Sequence, residues 1–134
     1  MPHLVMLYTP QLDAECDMDR LCRRLADAML GVRDEAGAQV FPTGGTRVLA
    51  YRAAHHAVSD GSGDHAFIYF NLRMARGRSA GVHRAVGDTL AAVVREELAP
   101  VLAARPVGLT LQVEEGHEVF DAKLGNLHAL FAKK

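Results

Sequence analysis

Apolar residues follow two different rhythms along this chain. From Leu4 to Tyr8 they run almost unbroken, the signature of a short buried strand. Acidic and cap-type residues from Asp13 to Asp19 suit a helix start. Leu21, Leu25, Ala28, Met29 and Val32 then recur at the three-and-four spacing of one helix face, with Arg20, Arg23, Arg24 and Asp27 elsewhere around it. Gly31 and Gly37 mark the end of this helix. "FPTGG" (Phe41 to Gly45) is a turn, and "RVLAYRA" (Arg47 to Ala53) a second strand. Beyond "SDGSGD" (Ser59 to Asp64), the most loop-like stretch, the sequence starts over. "AFIYFNL" (Ala66 to Leu72) predicts a strand, and "ARGRS" a turn into a helix N-capped by Ser79. Val82, Val86, Leu90, Val93, Val94, Val101 and Leu102 line that helix, and Pro100 is expected to kink it or end its regular part. "VGLTLQVEE" (Val107 to Glu115) is a fourth strand, followed by the apolar tail "NLHALF" and two lysines.

The order β-α-β, loop, β-α-β predicts an α+β fold: one domain over residues 1–134, with repeated halves at about 1–58 and 64–134. Each βαβ unit pairs its strands in parallel through a right-handed crossover. Two helices on one face of a four-stranded sheet leave the other face needing cover. The aromatic strand Phe67 to Phe70 offers apolar side chains in both directions, and an oligomer buries them most readily.

Composition narrows the classes. With 134 residues, 49% of them apolar, the chain can bury a core without disulfides. Fifteen basic residues against sixteen acidic ones argue against nucleic acid and against a polybasic membrane contact. Cys16 and Cys22, six apart, match no zinc or redox spacing and read as free thiols in a reducing compartment. Neither a signal peptide nor a membrane-length apolar run is visible, so a soluble cytoplasmic protein is expected.

Three residues carry candidate chemistry. Removal of Met1 would leave Pro2 as a secondary amine that can titrate. Apolar surroundings and nearby cations favour its neutral form, which suits a base acting next to a carbonyl or enol. Arg47 follows a Gly-Gly turn and Arg78 sits in "RGRS"; their planar forks bind carboxylates and stabilise charge developing on oxygen. Taken singly, each also fits an ordinary terminus or a solvated arginine. Adjacent His55 and His56 would face opposite sides of a strand, and no carboxylate completes a metal-ligand spacing, so no metal is expected. His128, in the apolar tail, reads as a hydrogen-bonded structural histidine.

Taken together, "MPH", "FPTGGTR", "DGSGDHAFIYFNLRMARGRS", "LTLQVEE" and "NLHALF" resemble the 5-carboxymethyl-2-hydroxymuconate isomerase family of the tautomerase superfamily, over essentially the whole chain. The resemblance implies two βαβ repeats per subunit and a homotrimer with sheets packed about a central axis. It implies no cofactor, a small tricarboxylate substrate, and a place in bacterial breakdown of homoprotocatechuate, itself derived from 4-hydroxyphenylacetate. It carries the catalytic proline onto Pro2 and the family's substrate arginines onto Arg47 and Arg78. Arg52, Arg73 and Arg76 receive no role from it. Another tautomerase-type activity, or a non-catalytic carboxylate-binding trimer, remains open on the sequence.

Overall fold

The computed structural model describes residues 2–132; Met1, whose removal the sequence reading expects, and the two terminal lysines lie outside them. Four strands, β1 (His3–Tyr8), β2 (Arg47–Arg52), β3 (Ala66–Met74) and β4 (Val107–Glu115), form one sheet in the order β2-β1-β3-β4. β2 lies parallel to β1 and β4 parallel to β3, as two crossover units require. The halves meet through an antiparallel β1–β3 pairing, in which His3 faces Arg73 and Tyr8 faces Ile68.

Alternation along the strands places the core. Leu4, Met6, Ile68, Phe70 and Leu72 are fully buried on one face, each side chain contributing about 1.5–3 kcal/mol by its removal from water. Over them lie α2 (Met18–Leu30), through Leu21, Leu25 and Met29, and α3 (Ala80–Ala104), through Val82, Val86, Leu90 and Val94. A four-residue helix, α1 (Leu12–Glu15), precedes α2, so the helix start read across Asp13 to Asp19 is two elements. Asp17 caps α2 by accepting from the Arg20 N–H at 3.0 Å, and Ser79 caps α3 by accepting from the Val82 N–H at 3.1 Å.

In α3 one expectation is narrowed and one is corrected. α3 runs through Pro100 to Ala104. Pro100 is exposed and removes one bond near the end of the helix, while buried Leu98 and Val101 on either side hold the last turns on the sheet. Leu102 points away from the core, half-exposed, and Leu98 takes the core position instead.

Opposite the helices the sheet is bare. Its side chains stand in cross-strand rows: Arg47, His3, Arg73, Glu114; then Leu49, Val5, Asn71, Gln112; then Tyr51, Leu7, Tyr69, Thr110. Leu7, Leu49 and Tyr51 remain about half-exposed.

Candidate active site

The start of β1 coincides with the start of β2 and the ends of β3 and β4, so four strand termini meet at one edge of the sheet. A cavity of about 380 Å³ opens there. His3, Arg47 and Arg73 form its strand side, and Glu118, Asp121, Lys123, Leu127 and His128 bring the tail across it.

Pro2 enters β1 immediately before His3 and is buried, although it does not itself line the cavity wall. By strand alternation its ring belongs to the helix-covered side, with Leu4, while His3 turns to the open face. Burial, and next to it the charge of Arg47, hold the His3 imidazole below its usual 6.5. A neutral histidine therefore stands between two guanidinium groups.

Arg47 follows a short 3₁₀ turn, Thr43–Gly45, and donates from Nη1 to the Gly45 carbonyl at 2.9 Å. That turn is roofed by a second 3₁₀ turn, His128–Phe131. A Cβ on Gly44 would stand 2.8 Å from the His128 Cα, so only glycine lets the tail lie this close. Among the described residues the buried Nε2 of His128 has no hydrogen-bond partner.

Arg78 is not brought into the cavity. Its Nη2 donates to the Val40 carbonyl at 3.0 Å and its Nη1 lies 3.5 Å from Asp34 Oδ2. Next to it the Ser79 hydroxyl donates to Glu35 Oε2 at 2.5 Å. Asp34 itself accepts the N–H groups of Ala36 and Ala38, each at 2.9 Å, closing a turn whose Gly37 has φ +83°. Arg78 thus ties the start of α3 to the segment that leads through buried Val40 and Phe41 into the Gly-Gly turn and Arg47.

What the sequence left unassigned is the rest of the cation set. Arg73 reaches the cavity only because β1 and β3 pair antiparallel in a register that sets it opposite His3. In the present arrangement its Nη2 meets Glu118 Oε1 at 3.4 Å. The Glu118 carboxyl is held below its usual range, first by its own backbone N–H and then by Arg73. Lys123 binds Asp121 at 2.6 Å and holds that carboxyl low as well. Among the described residues no cluster of three His, Cys, Asp or Glu side chains is placed to hold a metal ion, and no helix is long and apolar enough to cross a membrane.

A four-stranded sheet built from two βαβ units in the order β2-β1-β3-β4 is a tautomerase-like fold. Within that class the family model of 5-carboxymethyl-2-hydroxymuconate isomerase matches residues 2–131, and the chain belongs to this family. A solved structure of a 5-carboxymethyl-2-hydroxymuconate delta-isomerase superposes with a TM-score of 0.95 at 59% identity, covering 100% of this chain and 95% of that one. A 5-carboxymethyl-2-hydroxymuconate isomerase from Deinococcus radiodurans R1 gives a TM-score of 0.85 at 34% identity, over 97% and 93% of the two chains. The Escherichia coli 5-carboxymethyl-2-hydroxymuconate Delta-isomerase is 25% identical over 131 residues, 98% of this chain and 99% of the relative.

Proposed function

We propose that this chain isomerises 5-carboxymethyl-2-hydroxymuconate with Pro2, freed by removal of Met1, as the base. The neutral amine takes the proton of the substrate's 2-hydroxyl group and returns a proton to a carbon of the conjugated chain, giving the 2-oxo isomer and regenerating the amine. Arg47 holds a carboxylate and stabilises charge on the 2-oxygen as the proton leaves. The observation that carries this reading is the strand-end cavity, whose wall begins at His3, the residue next to Pro2, with an arginine on either side. Pro2 is itself buried and Arg47 pairs with the residue next to it, and burial and positive charge both favour the uncharged form of an amine.

Arg78 enters the proposal first as the residue that holds the 34–47 segment, and a direct carboxylate contact would require it to release Asp34. The bare sheet face supports a homotrimer in which neighbouring sheets cover Leu7, Leu49 and Tyr51. On this reading the chain is a cytoplasmic enzyme of aromatic catabolism.

The test is the pH dependence of kcat/KM for ketonisation of 5-carboxymethyl-2-hydroxymuconate, on protein shown by intact mass to begin at Pro2. The ascending limb is expected to report a group near neutrality in the free enzyme. Pro2→Ala, with an unchanged melting temperature, should lose at least about 100-fold in rate and shift that limb. Full activity in protein that retains Met1 would sink the proline mechanism.

A further inference from the structure

The cavity already contains carboxylates of its own. Glu118 meets Arg73, on the far side of His3 from Arg47. Arg47 and Arg73 stand two strands apart, about 10 Å between backbones. Their side chains can lean inward onto the two ends of a six-carbon diacid.

We propose that Arg73 is a second carboxylate-binding residue of this cavity, and that Glu118 is an internal competitor which the substrate displaces. The inference rests on the isomerase reading above, which supplies a substrate with three carboxylates.

The two partners are held very differently. Arg73 is fixed by the β1–β3 ladder, whereas Glu118 lies in a stretch, residues 116–127, without helix or strand. Both side chains are well exposed, 48% and 39%, and ion pairs of that kind are weak. A better-placed carboxylate can therefore replace Glu118. Asp121 does not compete in the same way, because Lys123 holds it at 2.6 Å.

A second observation concerns how Glu118 gets there. Gly116 is buried, and its N–H donates to the Met74 carbonyl at 2.9 Å, docking the tail beside the end of β3. A Cβ on Gly116 would collide with the Glu118 carboxylate, so the absent side chain is what lets Glu118 fold back over its own chain toward Arg73. Gly116→Ala should move the carboxylate off Arg73 while leaving its charge in place. Glu118→Gln removes the charge while leaving the shape.

The experiment measures binding of tricarballylate, an unreactive tricarboxylate, by calorimetry, with turnover of 5-carboxymethyl-2-hydroxymuconate followed separately. If Glu118 occupies Arg73 about two-thirds of the time, as a weak exposed pair allows, Glu118→Gln and Gly116→Ala should each tighten binding about threefold. Arg73→Gln should weaken it by about tenfold or more and erase the gain from Glu118→Gln in the double variant. Arg84→Gln, whose side chain on α3 pairs only with Asp88 among the ion pairs of the described residues, is the matched charge control and should bind as the parent does. Thermal melts check that each variant folds. Unchanged affinity in Glu118→Gln, parental affinity in Arg73→Gln, or no binding to either the parent or Glu118→Gln overturns the inference. Absent turnover with the predicted binding pattern would instead overturn the isomerase reading alone.

Discussion

His3 gathers the electrostatics of the site into one measurable group. It is depressed by burial first and by Arg47 second, so the folded protein keeps it neutral where an unfolded chain would bind a proton. The sign follows directly. Its contribution to stability is complete above the unfolded value of 6.5 and is lost as pH falls through the lower folded value. NMR titration should place the His3 imidazole below 6.5. Arg47→Gln should move it only part of the way back, because burial remains. His3→Gln should flatten the pH dependence of the urea midpoint below 6.5, and identical slopes in the two proteins would refute the assignment. The chemistry proposed for Pro2, Arg47 and Arg78 is a reading of residue type and motif. The partnership of His3 with Arg73 could not be read that way, since 70 residues of chain separate them and only the antiparallel register brings them together. Glu118 was equally hidden, in a tail with no periodicity to place it.

Between elements, the informative contact is the one Arg78 makes at the start of α3. By pairing with Asp34 and the Val40 carbonyl it fixes the segment that delivers Arg47 to the cavity. If that is how Arg78 matters, Asp34→Asn should reproduce most of the loss in kcat/KM seen in Arg78→Gln. We expect about tenfold or more for each, equivalent to about 1.4 kcal/mol at the transition state. A substrate contact made by Arg78 itself would instead leave Asp34→Asn near the parent value. The helices were legible because their faces are written in 3.6-residue spacing: Leu21, Leu25 and Met29 are fully buried as read. Pro100 does not end α3, because the burial of Leu98 and Val101 on either side keeps the last turns in place. Leu102 leaves the core because the face of a long helix drifts and one neighbouring position replaces another.

Across the whole molecule, the helices cover one sheet face and leave the other to be covered by something else. Its rows grade from Arg47, His3 and Arg73 at the cavity edge to Leu7, Leu49 and Tyr51 further along. In the proposed trimer the apolar rows pack between subunits. Sedimentation should then give about three times the 14.5 kDa chain mass. Leu49→Asp, which would bury an unpaired carboxylate in that contact, should release monomers. A monomeric parent protein would refute the trimer. By itself the sequence determined the four strands, the two long helices, the Ser79 cap and the class of chemistry, because each is encoded within a few neighbouring residues. Tertiary structure alone decided the strand order, the β1–β3 register, the commitment of Arg78 to Asp34 and the meeting of Arg73 with Glu118. Those depend on which distant segments share a sheet edge, and local spacing carries no record of that.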